Sequence, residues 1–317
     1  MRCKMDCAAF TDVGRVRQTN EDQFLIADLN KSMLVRQTSL FQDDHTRLFG
    51  SSQGALLLVA DGMGGHAAGK QASALAVQTL EHYILNTMPW FFHLQQNQET
   101  DLQDELKSAM EACQKSIETA ARARPEQRGM GTTLTMAYLL WPRLYVVHVG
   151  DSRCYLFRSP RLEQITKDQT MAQQLAEQGV LAPEEVPQSR WSHVLWSCLG
   201  GHTRQLSVEV YKAALTVGDT LLLCTDGLTR HLSDEDVLRL LQRRGSAEQT
   251  CRRLVAAAND AGGSDNVTVV VARFLDAHSP EALVAHAEEK TAHPRTASEV
   301  ADVMKADEEF INAGVRK

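Results

Sequence analysis

Four times in this 317-residue chain, an apolar run starts or stops at an aspartate flanked by Gly, Ser, Thr or Asn. The runs are "LLLVADG" (Asp61), "YVVHVGDSR" (Asp151), "LLLCTDG" (Asp226) and "GGSDNVTVVV" (Asp265). Apolar, β-branched runs this short, bounded by turn residues, read as buried strands. The chain must therefore build a fold in which several buried strands carry an acid at one end. A fifth acidic site, "RQTNEDQFL", has Glu21 and Asp22 entering another strand. Any one aspartate is well explained as a turn residue. Several brought together repel unless they are protonated or neutralised, and a divalent cation is the usual neutraliser.

Further strands are expected at about 132–140, 144–149, 153–158, 207–213 and 219–224, besides 23–28, 55–60 and 267–274. In "DLQDELKSAMEACQKSIETAARAR" the positions Leu102, Leu106, Met110, Cys113 and Ile117 fall three or four apart and form one helical stripe. "KQASALAVQTLEHYIL" reads the same way. "SDEDVLRLLQRR" opens with Ser233 as N-cap, and "SAEQTCRRLVAAAND" has Ser246 and Gln249 in capping-box spacing. Strand runs broken by paired helices predict an α+β protein, not a doubly wound alternation. Residues 30–53 read as a polar insertion, 168–192 as a surface flap, and 276–317 as a charged, Ala-rich tail, helical or disordered, outside a domain at 1–275.

The net charge of −7 argues against a nucleic-acid or anionic-membrane partner. No run approaches the ~18–20 apolar residues that span a bilayer. The opening "MRCKMDCAAFTDVGR" lacks a secretory pattern. Seven scattered cysteines without CxxC spacing indicate neither a disulfide framework nor a zinc site, so a cytoplasmic protein is expected. Oxygen ligands select Mg²⁺ or Mn²⁺ over zinc or copper. Two such ions, roughly 3.5–4 Å apart, hold a shared water as hydroxide and clamp an in-line displacement at phosphorus.

"TDVGRVRQTNED", "VADGMGGHAAG", "GTTLTMAYL", "VVHVGDSRCYLF", "LLLCTDGLT" and "GGSDNVTVVV" occur in an order and spacing that resembles the metal-dependent protein serine/threonine phosphatases, the PPM or type 2C family, and its bacterial branch in particular. The resemblance covers about residues 8–275. It implies a four-layer α-β-β-α sandwich, two central antiparallel sheets flanked by helix pairs. It implies that Asp61 bridges two metals, that Gly62 lends its carbonyl to one, and that Asp226 and Asp265 bind the other. Asp22 would hold metal-bound water, with Glu21 a weaker candidate, and Arg17 would grip the substrate phosphate. Asp151 would bind a third ion together with Asp226. The eukaryotic branch has a His directly after the metal-binding Gly; Met63 stands there, so His66 or a metal-bound water is the candidate general acid. The activity implied is hydrolysis of phosphoserine or phosphothreonine with Mn²⁺ or Mg²⁺. The partners would be phosphorylated proteins and a cognate serine/threonine kinase, and the enzyme would be a monomer. A non-catalytic binding module and a small-molecule phosphatase or phosphodiesterase remain as alternatives. The flap departs from bacterial relatives, with "DQT" (168–170) for "DHS" and "LWSCLG" (195–200) for "LTRALG".

Overall fold

A computed structural model describes residues 3–34, 47–64, 67–87, 99–201 and 206–276. The chain divides into two compact units. Met5–Phe274 carries everything discussed below, and nearly all of the other, Met1–Lys4 with Leu275–Lys317, lies outside the described residues. The expected tail falls there too.

One five-stranded sheet is built from β2 (Gln23–Leu34), β3 (Arg47–Ala60), β6 (Leu134–Leu140), β7 (Arg143–Val149) and β11 (Glu209–Ala214), in the order β11-β7-β6-β3-β2. The other contains β1 (Cys3–Asp12), β8 (Arg153–Arg158), β9 (Arg161–Gln164), β12 (Thr220–Cys224) and β13 (Val267–Asp276), in the order β1-β13-β12-β8-β9. A third, small sheet joins β4 (Gly62–Met63), β5 (Gly131–Thr132) and β10 (Leu199–Gly200). The pairings β2–β3, β3–β6, β6–β7, β7–β11, β8–β9, β8–β12 and β12–β13 are all antiparallel.

Helices cover the outer faces. α1 (Ala67–Asn86) and α2 (Glu99–Ala123) pack on the first sheet. All five residues of the expected α2 stripe are fully buried there, beside Ala72, Ala76 and Leu80 of α1. Each buried Leu or Ile contributes about 1.5–3 kcal/mol of transfer free energy. The short α4 (Asp226–Thr229), α5 (Asp234–Leu241) and α6 (Ala247–Asp260) cover the second sheet through Val237, Leu241, Leu254 and Val255. Strand residues alternate faces. Leu56 and Leu58 therefore meet the helices, while Leu57 and Val59, equally buried, face the other way. Leu221, Leu223 and Val270 do the same on the second sheet. The result is the expected four-layer sandwich.

Two expectations change. Residues 30–53 are not a simple insertion: β2 and β3 stay paired out to Leu34↔Arg47, with one irregularity between Asn30 and Ser32, and 35–46 lie outside the described residues. The flap contains α3 (Met171–Glu177) and a 3₁₀ turn at Pro183–Gln188.

Antiparallel pairing brings the acids to one edge. The start of β2 lies beside the end of β3 (Gln23↔Ala60), and the end of β12 beside the start of β13 (Cys224↔Val269). The start of β6 lies beside the end of β7 (Leu134↔Val149). Asp22 and Asp61 adjoin those ends, and Asp151, Asp226 and Asp265 lie one residue further out.

Candidate metal centre

A cavity of about 1000 Å³ opens at this edge; among its lining residues are Arg17, Asp61, Gly62, Asp151, Asp226 and Asp265. Asp22 lies behind its wall, 4% exposed, while Glu21 lines it. Of this pair the residue ranked second on sequence is the one that reaches the cavity, because neighbours entering a strand point to opposite sides. His66 lies outside the described residues.

Each acid is held by backbone built for it. The Asp61 N–H donates to Thr133 Oγ1 (3.0 Å), and Thr132 Oγ1 donates to the Asp61 carbonyl (2.8 Å). These threonines clamp the tip of β3. A Cβ on Gly62 would stand 2.3 Å from the Gly69 carbonyl oxygen and 2.7 Å from that of Glu21, so only glycine fits. Asp22 Oδ2 accepts from Thr225 Oγ1 (2.9 Å) and Thr268 Oγ1 (2.6 Å). Asn266, which the sequence reading passed over, donates from Nδ2 to the carbonyls of Val13 and Thr19 (3.0 Å each) and accepts from the Glu21 N–H (2.9 Å). It ties the Arg17 loop to the Asp265 loop; its place in "SDN" was the available signal.

The flap departure also acquires a role. Gln169 of "DQT" is buried; its Oε1 accepts from the Gly150 N–H (3.0 Å) and its own N–H donates to the Gly150 carbonyl (2.7 Å). Beside it, Arg153 forks onto Asp168, with Nη2–Oδ2 at 2.7 Å. The base of the flap is thereby bolted to the turn that carries Asp151. The far end returns through the N–H of Met171 to the carbonyl of Val194 (2.7 Å), which sets His193 into the cavity wall.

The electrostatics are those of crowded like charges. Burial pushes the Asp22 carboxyl up to about 7, with Asp226 and Asp265 adding to the rise against the two threonine hydrogen bonds. Burial, then Asp22, Asp226 and Asp151, raise Asp61 well above the usual carboxylate range. Burial and Asp226 do the same to Asp151. Asp226 also rises, chiefly by burial, although Arg230 opposes it. Asp22 Oδ1 and Asp226 Oδ1 are buried with no hydrogen-bond partner. Buried carboxylate oxygens left unpaired are costly, and a cation is the partner that suits them. The donors are carboxylates and a backbone carbonyl, the set that hard divalent cations prefer.

Two arginines are interleaved with these acids. Arg17 pairs with Asp265 through Nε–Oδ1 (2.8 Å) and Nη2–Oδ2 (2.9 Å). Arg230, which the sequence reading did not single out, pairs with Asp265 Oδ2 through Nη1 (2.8 Å) and with Asp226 through Nη2. Among the described residues no three His, Cys, Asp or Glu side chains close into a ready-made ion cage.

The fold and the row of acids at its edge are those expected of the PPM family. The chain belongs to the protein phosphatase 2C family, whose family model matches residues 34–268. It is 41% identical over 221 residues to the serine/threonine protein phosphatase PstP of Mycobacterium tuberculosis, a match covering 70% of this chain and 40% of that protein. The chain thus spans well under half the length of that relative. It is 28% identical over 261 residues to the serine/threonine phosphatase stp of Listeria monocytogenes, covering 82% and 92%. Among solved structures it is similar to the catalytic domain of PstP in complex with two manganese ions, with a TM-score of 0.66, 36% identity, and 87% and 100% coverage. No described helix is long and apolar enough to cross a membrane.

Proposed function

We propose that this protein hydrolyses phosphoserine and phosphothreonine on proteins, using two Mn²⁺ or Mg²⁺ ions held by Asp61, Gly62, Asp226 and Asp265. Asp151 would serve a third ion, and Asp22 would act through water. The observation that carries this reading is the convergence of four buried or half-buried aspartates, Asp61, Asp151, Asp226 and Asp265, on one cavity, with a fifth, Asp22, buried behind its wall; Asp22 and Asp226 each keep an unpaired, buried oxygen. Such ions, when bound, supply a nucleophile from water at neutral pH and neutralise phosphate oxygens.

The chain's own residues do the rest. Arg17, more than half exposed at the cavity mouth, offers a guanidinium fork that matches a phosphate dianion. Asp61 is held by Thr132 and Thr133 so that its carboxylate stays aimed into the cavity. The flap, anchored by Gln169 and Arg153, forms the side over which a phosphopeptide enters. No cysteine needs to form a phosphoenzyme; five of the seven are buried, and burial raises the thiol pKa of Cys154 and Cys224. By family analogy the partners are a cognate serine/threonine kinase and its substrates.

Asp61→Asn and Asp226→Asn are expected to abolish Mn²⁺-dependent hydrolysis of a phosphothreonine peptide while leaving circular dichroism unchanged. Full activity in EDTA would overturn the reading. Faster turnover of sugar phosphates or cyclic nucleotides than of phosphopeptides would move it to a small-molecule phosphatase or phosphodiesterase.

A further inference from the structure

Arg230 has no part in the hydrolysis described above, yet it is the most deeply placed cation in the cavity wall. Its position follows from local geometry. It is four residues after Asp226, at the C-cap of the one-turn helix α4, and its N–H closes that turn on the Asp226 carbonyl (2.8 Å). Side chains four apart on a helix are neighbours, so Arg230 stands over Asp226. Gly227 then brings the second acid within reach. A Cβ there would lie 1.9 Å from the Asn266 carbonyl oxygen, so the helix is pressed directly onto the loop that carries Asp265. The guanidinium fork consequently spans both carboxylates, Nη2 on Asp226 and Nη1 on Asp265.

This pair differs from an ordinary surface ion pair. The Arg230 side chain is 27% exposed, and those of Asp226 and Asp265 are 9% and 14% exposed. Arg17, which shares Asp265, is 55% exposed and touches only that one acid. Screening by water is therefore weakest for Arg230, and its positive charge also counters the rise of Asp151.

We propose that Arg230 is an internal competitor for the cation assigned to Asp226 and Asp265. Its fork takes one oxygen of each acid, Oδ2 of Asp226 and Oδ2 of Asp265, and sets a fixed positive charge between them, so a divalent ion held by both acids is opposed by the guanidinium. Arg230 thereby sets how much free metal the site demands. The inference rests on the metal reading proposed above.

The test is calorimetric titration of Mn²⁺ into the full chain, its Arg230→Met variant and its Arg230→Lys variant. Arg230→Met is expected to bind the ion assigned to Asp226 and Asp265 on the order of tenfold more tightly, since a charge-assisted fork no longer opposes it. Its metal-free form should melt at lower temperature than the parent, and saturating Mn²⁺ should erase that difference. Arg230→Lys, a point charge that cannot fork onto two acids, should lie between them. Unchanged or weaker Mn²⁺ binding in Arg230→Met would overturn the proposal while leaving the metal reading intact. Absence of Mn²⁺ binding in parent and variants alike would overturn both. Should Arg230→Met fail to fold without metal, the parent still decides the matter. Its Arg230 Nη–H resonances are expected to shift and to lose exchange protection as diamagnetic Mg²⁺ is added. A resonance that does not respond at saturation would overturn the proposal.

Discussion

Gly227 shows how tightly single residues govern this site. It has no side chain, yet the 1.9 Å approach of the Asn266 oxygen to its missing Cβ sets the spacing of Asp226 and Asp265. Gly227→Ala is expected to cost about 1–3 kcal/mol of stability, the range for overpacking, and to weaken Mn²⁺ binding as the two acids are pushed apart. Chemical denaturation and metal titration would measure the two effects, and retention of both properties would show that the loop yields. The motif "CTDG" was legible as a strand end with an acid. That its glycine is a spacer between two loops was not, because the partner lies 39 positions further along the chain, in "SDN".

Among the elements, the helices were the most legible and the flap the least. Ser233 caps α5 as its spacing predicts, accepting from the Asp236 N–H (3.2 Å), while Asp236 accepts in return from the Ser233 N–H (3.1 Å). Ser233→Ala should lower stability by about 1 kcal/mol, read by thermal or urea unfolding, without altering metal affinity. Ser246 caps α6 by accepting from the Gln249 N–H, the one-sided form of the expected box. The flap, by contrast, looked like a loose polar surface segment. It is joined to the Asp151 turn by Gln169 on the Gly150 backbone and by the Arg153–Asp168 pair, contacts between segments 15 to 19 residues apart that no local pattern announces. Gln169→Ala is expected to increase hydrogen exchange across 169–196 and to raise KM for phosphopeptides more than it lowers kcat. An unchanged exchange pattern would mean that Arg153–Asp168 alone holds the flap.

At the scale of the whole molecule, the acids at the cavity edge make stability depend on pH and metal together. Burial pushes the Asp22 carboxyl up to about 7 in the folded protein against an ordinary value of 3.8. Between those values the folded state holds a proton that the unfolded chain has lost, so stability falls as pH rises through this window. Metal-free protein should therefore melt at progressively lower temperature from about pH 4 to about pH 7, and Mn²⁺ should lessen the decline by neutralising the acids. His148, buried between Thr135 and the Lys167 carbonyl with its pKa lowered by burial, acts in the opposite sense: its contribution is lost as pH falls below about 6.5. The comparison of parent with Asp22→Asn isolates the first effect. An identical pH profile in the two proteins would remove Asp22 as its source.

By itself, the sequence determined which segments are buried strands, which helices cap them, and that acids sit at strand ends. Hydrophobic period and turn chemistry are local properties, legible over a few residues. The six motifs in register added the family. Tertiary structure alone decided that Glu21, not Asp22, lines the cavity, that β2 and β3 continue past their expected ends, and that Gln169 bolts the flap. It also decided that Arg230 reaches two acids at once. Gln169 meets Gly150 and Arg230 meets Asp265 across 19 and 35 positions, so only the folded chain, not a local pattern, sets that they meet.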